Sequence, residues 1–190
     1  MSDILPRLNR DERRMLLDLA RRAVSARLHS TPPPLLTDPP PRLSLPQGAF
    51  VSLHIRGKLR GCVGMVLPER SLAETVSACA AAAATEDPRF DALPPAELAD
   101  VTIEISALDP PFRVADPSRI RIGTHGLMVT QGGRRGLLLP QVAIDQGWDV
   151  PTFLAETCLK AGLPSEAWTH EPIVEAFSAQ VFSEQGLELH

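Results

Sequence analysis

The sequence predicts an α+β protein built mainly on antiparallel sheet with flanking helices. Two observations carry this. Period-2 runs face each other across tight glycine turns, Ala49–Ile55 with Lys58–Met65 and residues 127–129 with 136–139. The helical stretches between them do not alternate regularly with strands, as a doubly wound sheet would require. With 44% hydrophobic and 22% charged residues in a chain of 190, the composition is globular rather than disordered. A chain of this size buries about 70% of its unfolded surface, so it forms one large domain or one domain of two lobes.

The elements follow in order. Asn9 or Asp11 caps a helix reaching about Leu28, with Leu16, Leu19, Ala20, Ala23 and Val24 on one face. Arg13, Arg14, Arg21 and Arg22 fall mainly outside that stripe and are expected to face water. Residues 31–46, TPPPLLTDPPPRLSLP, form an extended connector, and Leu35, Leu36, Leu43 and Leu45 predict that it is pinned to the fold. Phe50, Ser52 and His54 share one face of the next strand. Arg56-Gly57 turns it into its hairpin partner. Ser71 and Glu74 make a capping box for an alanine-rich helix that stops at Asp87-Pro88, with Cys79 in the core. Val101–Leu108 alternates apolar residues with Thr102, Glu104 and Ser106. A second hairpin follows Gly123-Thr124-His125-Gly126. Pro140 opens a short helix, Asp149 caps another that holds Cys158 in the core, and a last strand spans about 173–182 with Phe177, Ala179 and Val181 on one face.

Chemistry concentrates at Lys58–Met65, KLRGCVGM, where a thiol and a guanidinium stand between two glycines. Arg60 lies two residues before Cys62 and so on the same strand face. Gly61 and Gly64 permit close approach of a backbone or ligand. A free thiol near pKa 8.5 is mostly protonated at neutral pH; lowering it by about two units takes roughly 2.7 kcal/mol, which Arg60 and backbone amides can supply. His125, exposed between glycines, is then the candidate proton shuttle and Glu104 the group that orients it. Arg60, Gly61, Gly64, Arg89 and Gln141 are the candidate anion- or substrate-binding positions. The competing reading packs Cys62 as a small apolar residue and pairs Arg60 with a surface acid. Cys62, His125 and Glu104 are also acceptable metal ligands, but no close-spaced pair supports a site, and no metal is assigned.

Several classes are disfavoured. Net charge of −4 and few aromatics, 4% with no tyrosine, argue against a nucleic-acid surface. Three cysteines without CxxC spacing fit a reducing cytoplasm better than a disulfide framework or zinc ribbon. The N-terminus lacks an apolar signal region, and no run is long enough to span a membrane. Without GxGxxG or a P-loop, no nucleotide cofactor is expected.

Six motifs in order resemble the AMMECR family, whose bacterial and archaeal members are also called AmmeMemoRadiSam system protein A. They are LRGCVG at 59–64, DPRF at 87–90, IEIS at 103–106, GTHGL at 123–127, LLLPQVA at 137–143 and CLKAGLP at 158–164. The resemblance covers about 50–184 of a single domain spanning 1–190, and leaves the proline-rich 31–46 outside it. Val63 stands where the family often has isoleucine, and Asp145 where glutamate is common. The resemblance implies a two-lobed fold with a cleft, the first and last parts of the chain sharing one lobe. It also implies a Memo-like protein and a radical SAM enzyme as partners, but no reaction. Two functions stay open: a thiol-dependent enzyme acting through Cys62 on a small molecule or protein in the interlobe cleft, or a non-catalytic binding or regulatory module for those partners.

Overall fold

A computed structural model describes residues 5–67, 69–170 and 173–186. The opening four residues, part of the stretch read for a signal peptide, lie outside it. Helices and two four-stranded sheets make the fold α+β. The chain divides into two compact units. The first holds Leu5–Leu108 and the stretch from Gln180 onward, and the second Asp109–Ala179.

The first unit begins with α1 (Arg10–Leu28), which Asn9 and Glu12 cap reciprocally. Its sheet runs β2 (Lys58–Met65), β1 (Ala49–Ile55), β3 (Val101–Leu108) and β8 (Ala179–Ser183), in that order. Arg56 and Gly57 both take positive φ, the two-residue turn whose twist suits a hairpin. α2 (Leu72–Thr85) starts at the expected Ser71–Glu74 capping box. Val51, Leu53, Ile103 and Ile105 share one sheet face and are fully buried with Leu16, Leu19, Val76 and Ala80 of the two helices. The alanine face of α2 packs so closely that a Cβ on Gly61 would run into the Ala83 carbonyl.

The proline-rich connector is pinned along both halves: the Pro34 carbonyl accepts from the Ser77 hydroxyl at 2.7 Å and Leu36 packs against the first core. Leu43 is fully buried on a 3-10 turn, Leu45 accepts a hydrogen bond from the Leu72 N–H, and Leu35 is exposed. Of the α1 arginines expected to face water, Arg13 and Arg21 are structural ties rather than solvated groups. Arg21 pairs with Glu184 at 2.6 Å and bonds the Leu98 and Val101 carbonyls; Arg13 is buried with its guanidinium over the Phe182 ring. A helical-wheel reading places them beside the apolar stripe but cannot show what the chain's far end brings to that flank.

The second unit carries a sheet ordered β4 (Phe112–Arg113), β7 (Ile173–Phe177), β5 (Gly126–Gln131) and β6 (Arg134–Leu138). Gly132 and Gly133, both at positive φ, turn β5 into β6. α3 (Pro140–Gln146) ends on left-handed Gly147, and α4 (Val150–Lys160) is capped by Asp149. Phe153, Leu154 and Cys158 of α4 meet Leu127, Val129 and Ala176 in a second core.

The predicted last strand is two strands in different sheets, broken at Ser178. Phe182, fully buried in the first core, takes the inward place that the continuous alternation gave to Ala179 and Val181. Phe177 and Phe182 are five residues apart and cannot share a face of one strand. The break lets both be buried.

Candidate functional site

Cys62 stands at the edge of the first sheet, because β2 is the outermost strand. Its N–H points away from β1 and donates to Asp87 Oδ2 at 2.8 Å. Asp87 also accepts from Arg89: the backbone N–H at 3.1 Å and Nε at 2.9 Å on Oδ1, and Nη2 at 2.7 Å on Oδ2. Arg60 secures the same segment from the strand side. It donates to the Asp91 carbonyl at 2.7 Å and to Glu97 at 3.1 Å. The LRGCVG and DPRF motifs thus lock together, and the segment after α2 lies along an edge that would otherwise offer unpaired backbone groups.

Arg60 reaches that segment because the strand slips there. Leu53 faces Gly61 and His54 faces Leu59, so Arg60 is the extra residue of a bulge. Simple alternation therefore fails for the Arg60–Cys62 pair. The guanidinium acting on the thiol is that of Arg89.

Across the sheet, Cys62 pairs with Ser52, and Ser52 pairs with Glu104. The three side chains form a row on the face opposite the helices, each half-buried. The Ser52 hydroxyl donates to Cys62 Sγ at 3.2 Å. Burial pushes the thiol above its ordinary value; Ser52 and Arg89 oppose that, while Asp87 and Glu104 add to it. The resting thiol is therefore neutral at pH 7. Asp87 is held well below the usual carboxylate range, chiefly by the Arg89 hydrogen bonds and against its own burial.

The glycines serve the fold. The space beside Gly61 is taken by the α2 backbone and that beside Gly64 by the Phe50 ring. His125 belongs to the second unit, half-buried before β5. Its ring meets Phe112 edge-on at 5.3 Å, and Nδ1 accepts the Arg121 N–H at 3.2 Å. Burial, then Arg121, lowers its pKa. Gln141 is half-buried in the first turn of α3. Among the described residues, no group of three or more His, Cys, Asp and Glu side chains is arranged to hold a metal ion. Cys79, pushed up to about 11 by burial, and Cys158 are core residues.

Sequence reasoning did not single out Ser52 or Asp87. Ser52 was legible as the middle of the polar face of β1, but a regular register counted back from Arg56-Gly57 sets it opposite Gly61; the bulge is what brings it opposite Cys62. Asp87 gave only a turn signal, since nothing local announces a contact 25 residues away. His54 shares the Ser52 face; its Nε2 is buried and meets no hydrogen-bond partner among the described residues.

A family model described as AMMECR1 matches residues 17–182, a span that takes in most of α1 and the proline-rich connector. A protein of Methanothermobacter thermautotrophicus is 44% identical over 187 residues, covering 94% of this chain and 97% of its own. Protein MK0488 of Methanopyrus kandleri is 40% identical, covering 94% and 91%. Among solved structures, an uncharacterized protein of Pyrococcus horikoshii, PH0010, superposes with a TM-score of 0.85 at 37% identity, covering 91% of each chain.

Proposed function

The chain belongs to the AMMECR1 family, and on that premise we propose that it is a binding or regulatory module whose recognition surface is the Cys62–Ser52–Glu104 face of the first sheet. The observation that carries this reading is the commitment of the charges around Cys62. Asp87 and Arg89 hold each other and the edge, Arg60 holds Glu97, and burial keeps the thiol protonated. The charged group that the row offers a partner is the Glu104 carboxylate; the Ser52 hydroxyl is turned onto the neutral Cys62 thiol, which fills the row without being required for contact. The family resemblance points to Memo-like and radical SAM proteins as the partners.

A second reading, a thiol-dependent enzyme acting on a small molecule or protein, is favoured by one feature. The Ser52 hydroxyl donated to Sγ stabilises a thiolate if one forms, and Glu104, next in register beyond Ser52, puts a candidate base in the same row. His125 would then need to take part as proton shuttle.

The pH dependence of Cys62 alkylation, followed by mass spectrometry, separates the two. The module reading expects an apparent pKa at or above the ordinary value of about 8.5, little changed in Arg60→Ala or His125→Ala. It also expects Cys62→Ala to keep binding of a Memo-like protein and to rescue a deletion strain, with Glu104→Arg losing both. A thiol that is mostly ionised at pH 7, or a Cys62→Ala protein that binds but does not rescue, transfers the assignment to the enzyme.

A further inference from the structure

The second unit contains a recess of about 710 Å3, lined by none of the candidate site residues. Its floor is core: Ile120, Leu154 and Val174 are each at least nine-tenths buried. Val114 and Trp168, both half-buried, form its walls. Trp168 is fixed from below. It sits on a 3-10 turn (Ala167–Thr169), its indole packs against the second core, and its backbone N–H faces the buried Cys158 sulfur of α4. Among the described residues that line the recess, Arg113 carries the only formal charge.

We propose that this recess binds a small organic monoanion: a carboxylic acid with a flat, apolar body. The volume falls within the roughly 300–1,000 Å3 typical of small-molecule sites. An indole face and branched aliphatic side chains suit a ring, and an anchored tryptophan pays little entropy on contact. The guanidinium fork of Arg113 matches a carboxylate in two parallel hydrogen bonds. One cation and no lining acid select a single negative charge. Glu175, the cross-strand neighbour of Arg113 in the ladder, carries a like charge to the ligand and competes for the same guanidinium.

The test uses the full chain and 2-naphthoate as probe, with 2-naphthalenemethanol as its uncharged counterpart. Titration followed by isothermal calorimetry and by the two tryptophan indole N–H resonances, assigned with Trp168→Phe, should show saturable 1:1 binding that moves the Trp168 signal and leaves Trp148. Arg113→Gln should weaken naphthoate by about tenfold or more, the loss of a charge-assisted bidentate contact, and the alcohol should bind the native chain no better than naphthoate binds that variant. Glu175→Gln should tighten naphthoate, and Ala115→Trp, which adds bulk at an exposed lining position, should abolish binding while thermal unfolding stays unchanged. Absence of saturable binding, equal affinity for acid and alcohol, or insensitivity to Arg113→Gln overturns the proposal. So does a peptide ending in phenylalanine that binds much more tightly than naphthoate through the same residues, since the site would then be a protein-docking groove.

Discussion

Asp87 does at the scale of one residue what an additional strand would do for a sheet edge. Its carboxylate, 5% exposed, takes the Cys62 N–H and three donors of Arg89. Asp87→Asn keeps the shape but loses the charge and turns one acceptor atom into a donor facing Arg89. The buried amide then faces a donor while the exposed Arg89 can turn to water, so the loss is about 1 kcal/mol, and the urea midpoint at pH 7 should fall accordingly. The pH dependence has a definite sign. Because the folded carboxylate titrates below its unfolded value of about 4, its contribution is complete above that pH and is lost as the pH falls below it. The native and Asn proteins should therefore converge in stability toward acid. A gap that is constant between pH 7 and pH 3 would show that the charge is not what matters. The sequence made Arg89 a candidate anion binder and supplied its anion two residues earlier, but Asp87 read as an ordinary turn residue, because a turn signal is local and its bond to Cys62 is not.

Among the elements, the β2 strand was the most legible and the most misleading. Its hairpin and its turn residues follow from alternation and glycine placement, and both are found. The bulge that diverts Arg60 does not follow, because one extra residue leaves no mark in a period-2 pattern when a glycine comes next. The glycines of LRGCVG have different neighbours, and that difference is measurable. At Gly61 an added methyl meets the backbone of α2, which cannot retreat without moving the helix; at Gly64 it meets the Phe50 ring as far back as Cγ, which the half-buried side chain can clear by swinging about χ1. Gly61→Ala should thus cost at least the roughly 3 kcal/mol that marks the upper range of overpacking, and Gly64→Ala about 1 kcal/mol. Phe50→Leu should restore the second variant and leave the first unchanged. Equal losses in chemical denaturation would mean that ligand-independent packing does not explain the two positions.

For the whole molecule, the decisive step is the return of the chain at β8, which the sequence concealed by running two strands together. With β8 in place, the first unit gains Phe182 in its core, the Arg21–Glu184 pair, and the Gln180 side chain that accepts the Leu8 N–H. A structure assembled from the two ends of the sequence pays for long-range closure before it gains these contacts. Phe182→Ala should remove about 3–5 kcal/mol from the first core. Hydrogen exchange can then locate the damage. The two cores share no residue, so the amides of β1 and β3 should exchange faster by a factor set by the lost stability, while those of β5 and β7 change far less. If all four strands quicken equally, the chain opens as one cooperative body, and the division into two units describes packing alone. If only the first sheet responds, the middle of the chain holds its own fold, and the Trp168 recess should keep its naphthoate affinity in the same variant.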